Sequence, residues 1–166
     1  MRPEPSQDFE AFVAREQAAL LRLAVLLTGD RGHAEDLVQT ALLKTYRHWD
    51  RISRSGPPSA YVRRVLVTSH TSWLRRLSST EQVVETMPDR AADARPDRDD
   101  ELIAALRELP PRMRAVVVLR FFEDRSEAQT AELLGCSVGT VKTQASRAMT
   151  RLRDLLTTPE REAGRR

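Results

Sequence analysis

Residues 126–153, SEAQTAELLGCSVGTVKTQASRAMTRLR, contain the start and stop signals of two helices joined by a tight turn. Ser126 and Gln129 have the spacing of a capping box, in which each side chain bonds a backbone N–H of the other residue. Gly135 can adopt the left-handed conformation that ends a helix, and Ser137 is a good N-cap for the next one. This order of signals predicts a helix-turn-helix.

The second helix of this pair is predicted to have one apolar and one polar face. Val138, Val141, Ala145, Ala148 and Leu152 recur at helical spacing, so we expect them to pack inward. The opposite face is polar and basic, and such side chains can bond base edges and phosphates in a DNA major groove. We predict that the DNA-binding residues of this face are Thr140, Lys142, Thr143, Gln144, Ser146 and Arg147.

The composition is that of a globular protein without a membrane segment. The chain has 166 residues, of which 40% are hydrophobic and 31% are charged, and such a balance can bury a core. The longest apolar runs, residues 23–27 and 115–119, are too short to cross a bilayer, so we expect no membrane insertion and a cytoplasmic location. The single cysteine, Cys136, allows no internal disulfide and is read as core packing.

Charge is distributed in three blocks along the chain. Residues 1–76 carry 12 basic and 8 acidic side chains, residues 77–100 carry 3 and 7, and residues 101–166 carry 12 and 9. Two basic blocks around an acidic connector suit a nucleic-acid partner, although charge alone is equally compatible with a role in solubility.

Hydrophobic periodicity predicts an all-α protein of two small helical domains joined by a flexible acidic linker. Helices are expected over residues 9–28, 34–49 and 59–77, with a loop at 50–58, and again over 99–109, 112–122 and the helix-turn-helix. The stretch between them loses the apolar pattern and is rich in acids and proline. The predicted divisions are a first domain at 1–77, a linker at 78–98, a second domain at 99–158 and a frayed tail at 159–166.

Motifs typical of metal-binding, phosphate-binding or catalytic sites are missing from the sequence. The three histidines share no metal-ligand spacing, and neither a phosphate-cradling glycine loop nor a nucleophile motif is present. We therefore expect no catalytic residues, no metal, no cofactor and no enzymatic activity.

Several short motifs, in order, resemble the bacterial extracytoplasmic-function sigma factors of the sigma-70 family, especially their short actinobacterial SigE-type branch. The resemblance covers about residues 9–77 and 99–156. Its motifs are AEDLVQ at 34–39, LPPR at 109–112, LRFFED at 119–124 and LGCSVGTVK at 134–142.

The resemblance implies that the chain directs promoter-specific initiation of transcription. The first domain would be sigma region 2, which binds core RNA polymerase and opens the −10 element, and the second would be region 4, which reads the −35 element as duplex. Implied partners are the clamp helices and flap of the large polymerase subunits, promoter DNA and, since many members are held inactive by one, an anti-sigma factor. The residues implied to dock on polymerase are Asp36, Gln39, Lys44 and Arg47.

For the −10 element, the resemblance assigns base capture to the loop at residues 51–58 and backbone contacts to nearby arginines. Tyr61 or Trp73 would offer a stacking platform for a single strand. The alternative, that these rings together with Tyr46 and Trp49 are core residues, stays open. The arginines are Arg51, Arg54, Arg63, Arg64, Arg75 and Arg76.

The sequence departs from the family pattern at a few positions. Thr40 and the pair at 68–69 differ from commoner residues in region 2, and Thr130 stands at a usually aliphatic position. Gln144 can make a bidentate contact with adenine where an arginine would choose guanine. Two other functions remain as alternatives: a stand-alone helix-turn-helix regulator that acts without polymerase, and a module that binds an acidic protein.

Overall fold

A computed structural model describes the backbone of residues 6–79 and 98–163. The chain divides into two compact units, residues 1–82 and 83–166. Every element in the described ranges is a helix, which confirms the predicted all-α fold of two small helical domains. Residues 80–97 of the predicted linker lie outside the described residues.

The first unit contains four helices: α1 Ser6–Thr28, α2 Arg31–Arg47, α3 Trp49–Ser55 and α4 Pro58–Ser79. Asp30 caps α2, since its Oδ2 accepts a hydrogen bond of 2.8 Å from the His33 backbone N–H. The apolar faces of α1, α2 and α4 pack together, and their fully buried side chains include Phe12, Leu20, Leu27, Val62 and Leu66.

The loop predicted over residues 50–58 is wrong for most of its length, because α3 occupies Trp49–Ser55. Trp49 and Ile52 lie one helical turn apart and are both buried, so tertiary packing holds this short segment in a helix. The helix ends where Gly56 and Pro57 follow. Pro58 then begins α4, a position that tolerates proline because the first N–H of a helix needs no intrahelical partner.

The second unit contains α5 Arg98–Arg107, α6 Pro111–Val117, a π-helical segment Val118–Phe122, α7 Glu127–Leu134 and α8 Val138–Ala163. Val116, Ala131 and Val141 form the centre of the helix-turn-helix core. Leu134, Cys136 and Ala145 pack against this centre, which confirms the prediction that Cys136 fills the core.

The single helix predicted over residues 112–122 changes its hydrogen-bond pattern halfway. The backbone N–H of Glu123 donates 3.0 Å to the carbonyl of Val118, five residues back, where an α-helix bonds four back. The wider turn shifts the faces of the last residues. Phe121, within this segment, is 49% exposed although it is apolar.

The last helix extends beyond the predicted domain end. Its backbone continues to Ala163, five residues into the expected tail at 159–166.

Candidate nucleic-acid interface

The helix-turn-helix has the local contacts that its sequence predicts. The Ser126 Oγ accepts 3.0 Å from the Gln129 backbone N–H, and the Gln129 Oε1 accepts 2.9 Å from the Ser126 N–H. Gly135 ends α7 with φ 67° and ψ 39°, in the left-handed region. The Ser137 Oγ then accepts 3.1 Å from the Thr140 N–H and caps α8. These contacts fix the turn that orients α8.

Residues of α8 divide into an inner and an outer face. Val141, Ala148 and Leu152 are buried as predicted, whereas Val138 is 40% exposed. Val138 was expected to pack inward, but it is the first residue of α8 and lies at the edge of the packed turn.

The six predicted DNA-binding residues share the outer side of α8. Gln144 is half-buried beside the core, and the other five side chains are exposed. The face is therefore open to a ligand over about two turns, with the half-buried Gln144 among its residues. The exposed members are Thr140, Lys142, Thr143, Ser146 and Arg147.

The predicted −10 arginines lie on α3 and α4 of the first unit. Five of them are exposed: Arg51, Arg54, Arg64, Arg75 and Arg76. Arg63 is half-buried, unlike the other five: its Nη2 lies 3.8 Å from the Glu16 Oε2 of α1, and its side chain is 23% exposed.

The two proposed stacking rings are both half-buried, so neither is wholly a core residue. Trp73 packs on His33, with ring centroids 4.2 Å apart, and lies within 6.0 Å of the His70 ring. Trp49 is buried, whereas Tyr46 is 44% exposed and contacts Phe9. An exposed part of the Trp73 ring remains for a ligand.

The residues expected to contact polymerase form an exposed stripe on α2. Asp36, Gln39, Lys44 and Arg47 are all exposed. Leu43 lies in the same stripe with 60% of its surface exposed. Sequence reasoning missed Leu43, although its position outside the apolar spacing of α2 was the available signal. The stripe therefore mixes charge with apolar surface, as protein interfaces do.

A cleft of about 270 Å³ opens between α2 and α4. The Lys44 Nζ donates 3.4 Å to the Ser69 Oγ across it, and Arg76 and Trp73 line its α4 side. Burial lowers the pKa of His33 on the α2 side, although the carboxylates of Asp30 and Asp36 oppose the shift. Sequence reasoning did not predict this cleft, because it depends on how two helices pair.

Neither a metal-binding cluster nor a membrane-spanning helix is present in the part of the chain that the structure describes. Residues 6–79 and 98–163 hold no group of three or more His, Cys, Asp or Glu side chains placed to bind a metal ion. Within the same ranges no helix combines the length and the apolar character needed to cross a membrane.

Comparison with known families assigns both units. Residues 12–80 match the family described as sigma-70 region 2, and residues 99–152 match sigma-70, region 4. The two matches fall on the first and second unit respectively, in the order that the motifs predict.

Curated relatives extend along almost the whole chain. The RNA polymerase sigma-E factor of Streptomyces avermitilis is 40% identical over 159 residues, which cover 94% of this chain and 89% of the relative. The protein of the same name from Streptomyces coelicolor is 42% identical over 160 residues, with 94% and 90% covered.

Solved structures include similar folds. The sigma factor RpoE of Bartonella quintana, solved in complex with the anti-sigma factor NepR, is 26% identical with a TM-score of 0.67, covering 90% of this chain and 97% of that one. CnrH, solved with the cytosolic domain of CnrY, has a TM-score of 0.58 at 23% identity and supports the fold.

Proposed function

We propose a division of labour between the two units, from the premise that this chain belongs to the sigma-70 family and is an RNA polymerase sigma factor of the extracytoplasmic-function type. The first unit docks on core polymerase and opens the −10 element. The second unit reads the −35 element as duplex DNA. The boundaries proposed for these roles are residues 1–77 and 99–158, with residues 78–98 as the linker.

One observation carries the DNA-reading part of this proposal: the outer face of α8 is polar, basic and exposed, while its inner face is fixed in the core. A helix held in this way can enter a major groove with its polar side chains on base edges. Lys142 and Arg147 supply charge for phosphates or guanine. Gln144, half-buried at the edge of the face, is placed to contact adenine.

Strand opening is assigned to α3 and α4. Arg51 and Arg54 project from α3 where the resemblance places base capture, and Arg64, Arg75 and Arg76 extend the exposed positive surface along α4. A cationic surface beside an aromatic ring suits a single strand, whose backbone and bases it can bind together. Arg63 contributes less to binding of the single strand, because its side chain contacts Glu16.

Polymerase docking is assigned to the α2 stripe of Asp36, Gln39, Lys44 and Arg47, with Leu43 as an apolar contact within it. The proposed partner surface is the clamp helices, and region 4 would contact the flap. The protein would act in the cytoplasm, where polymerase and DNA are. It contributes binding and positioning, while the polymerase carries out the chemistry.

An anti-sigma factor is the further proposed partner. The Bartonella quintana sigma factor, similar over most of both chains, was solved with such a protein. A protein that covers the α2 stripe would exclude polymerase by occupying the same surface. Since relatives of both units are sigma factors, a stand-alone regulator is not favoured.

The test is reconstituted transcription. Purified chain is added to core polymerase from a Streptomyces species on genomic DNA fragments, and the 5′ ends of the transcripts are sequenced. We expect start sites that share two upstream elements and that disappear when the chain is left out. Transcripts that are identical with and without the chain would reject the proposed function.

A further inference from the structure

The described residues give no structural reason for a glycine at position 139. Gly139 is the second residue of α8 and its backbone is helical, whereas Gly135 needs the left-handed conformation with φ 67°. Outside its own helical turn, the nearest atom that a Cβ on Gly139 would meet is the Ser137 Oγ, at 3.8 Å. That distance is an ordinary van der Waals contact. Neither a turn nor packing among the described residues therefore requires the missing side chain.

A glycine at this exposed position makes α8 less stable than an alanine would. Its backbone loses more conformational freedom on folding, and alanine has the higher helix propensity. Where the native backbone already suits alanine, the change from glycine to alanine stabilises a protein. The chain thus has the less favourable residue on the helix that is proposed to read DNA, and a role in binding would account for it.

Gly139 lies along the middle of the outer face of α8. Residues three or four apart share one side of a helix, so Gly139 is in line with Thr143 and Ser146, and all three are exposed. At about 100° per residue, this line is opposite the buried Val141 and Ala148. The side chains along it are short or absent. The backbone of α8 can therefore approach a partner more closely here than elsewhere on the helix.

The first turn of α8 is held in place by several contacts. The Ser137 Oγ accepts 3.1 Å from the Thr140 N–H and lies 2.9 Å from the Thr140 Oγ1. The Val141 N–H donates 3.1 Å to the Ser137 carbonyl, and the Val141 side chain is fully buried. A turn fixed in this way cannot easily move aside for an added methyl group. Such a group would instead push the partner away from the helix.

We propose that Gly139 is a specificity-determining residue for the −35 duplex, because its missing side chain lets α8 lie close to the base edges in the major groove. This role rests on the proposed function, in which the outer face of α8 reads that duplex. In a helix-turn-helix the N-terminal residues of the second helix contact the base edges, which carry the sequence information. A Cβ at position 139 would hold α8 away from the bases and lengthen the hydrogen bonds that Thr143 and Ser146 can make to them.

Gly139→Ala separates this role from a role in folding, because the two measurements should move in opposite directions. Thermal unfolding of the full chain, followed by circular dichroism, should show a midpoint a few degrees higher, since alanine favours the helix. The chain assembled with core polymerase should bind a labelled promoter duplex, taken from the transcription test, roughly tenfold more weakly, which is the size of one lost base contact. Gly139→Val adds a larger side chain and should weaken this binding further.

Gly32→Ala is the matched control. Gly32 is likewise the second residue of its helix, α2, and an added Cβ would lie 3.6 Å from the Oδ2 of the N-cap residue Asp30. This variant should also raise the unfolding midpoint, but it should leave promoter binding unchanged, because α2 does not read the duplex.

A promoter with a scrambled −35 element tests whether Gly139 affects sequence reading or general affinity. Polymerase carrying the unsubstituted chain and polymerase carrying Gly139→Ala should bind this duplex equally, because the base contacts are already lost. Equal weakening by Gly139→Ala on the intact and the scrambled promoter would exclude a role in specificity.

Two further results would overturn the role of Gly139 alone and leave the proposed function standing. One is binding of the intact promoter by Gly139→Ala as tightly as by the unsubstituted chain. The other is a lower unfolding midpoint in Gly139→Ala, since it would show that the glycine serves the fold. If polymerase carrying the unsubstituted chain binds no promoter duplex, the proposed function and this role are both overturned.

Discussion

The guanidinium Nε of Arg114 donates a hydrogen bond of 2.8 Å to the carbonyl oxygen of Leu106, so a buried cation on α6 closes the C-terminal end of α5. Its Nη2 also donates 3.2 Å to the Arg107 carbonyl and 3.1 Å to that of Leu109. Carbonyls at a helix end lack intrahelical partners, and a cation there is favourable to the helix dipole. Burial, aided by the nearby charge of Arg107, lowers the pKa of Arg114.

Arg114→Ala should therefore destabilise the second unit, by roughly 3 kcal/mol, because it leaves buried carbonyls without donors. Both tryptophans, Trp49 and Trp73, lie in the first unit. Urea unfolding followed by circular dichroism should show an earlier transition, while the tryptophan transition stays in place. Arg112→Ala changes an exposed arginine of the same helix and should leave both transitions unchanged. A shift of equal size in this control would contradict the role of Arg114.

Thr130→Val should stabilise the second unit by about 1 kcal/mol, since valine has the same shape and removes a buried polar group. Thr130 is fully buried in α7, and its hydroxyl has no hydrogen-bond partner among the described residues. The prediction is checked by the midpoint of urea unfolding followed by circular dichroism.

Thr45→Val is the comparison for this substitution. Thr45 is also fully buried, but its Oγ1 donates 2.8 Å to the Ala41 carbonyl. Removing a satisfied hydroxyl should bring no gain in stability. A lower urea midpoint in Thr130→Val would contradict this prediction, because it would mean that the hydroxyl makes a stabilising contact.

His33 should make the first unit less stable in mild acid. Its pKa is lowered chiefly by burial, so the folded state binds a proton less readily than the unfolded state does. Stability is then complete above the unfolded pKa, near 6.5, and is lost as the pH falls below it. Unfolding midpoints from tryptophan fluorescence at pH 7.5 and 5.5 should differ less in His33→Gln than in the unsubstituted chain. An equal difference in both would exclude His33 as the cause.

Local chemistry explains which parts of the structure could be predicted from sequence. The capping box at Ser126, the left-handed Gly135 and the outward face of α8 depend on residues within a few positions of one another. In contrast, α3 is helical because Trp49 and Ile52 are buried in the core, and the hydrogen-bond register changes at Val118–Phe122. Neither cause is visible in a local pattern.

The same distinction holds for the candidate sites: features of a single helix could be predicted, and features that depend on how helices pack could not. Exposure of the α8 residues followed from helical periodicity, whereas the cleft needed the pairing of α2 with α4. The half-buried state of Arg63 likewise depends on Glu16, forty-seven positions earlier. Contacts between distant parts of the chain are set by packing, and a single sequence does not reveal them.

Lys142→Ala and Arg147→Ala should each weaken binding of the chain to −35 duplex DNA by roughly tenfold, because each removes an exposed cation from the outer face of α8. A lost phosphate contact also lowers the salt dependence, by about one unit of the logarithmic slope. Fluorescence anisotropy at several salt concentrations measures both quantities. Arg112→Ala provides the control, since it removes a cation away from α8. Unchanged affinity in both α8 variants would mean that another face reads the DNA.

Asp36→Arg should weaken binding to core polymerase tenfold or more while leaving duplex binding by the second unit intact, because it reverses the one negative charge of the α2 stripe. Polymerase affinity is measured with a fluorescently labelled chain, and duplex affinity by gel shift.

Glu35→Arg is a stringent control: it makes the same change one residue away, on a side chain that bonds Arg31 at 3.3 Å. Adjacent helical side chains point about 100° apart, so only one of the two can face polymerase. An exposed pair such as Arg31 and Glu35 contributes little stability, so both variants should fold. Equal loss of polymerase binding in the two variants would refute docking through this stripe, and loss of duplex binding in Asp36→Arg would refute the separation of the two roles.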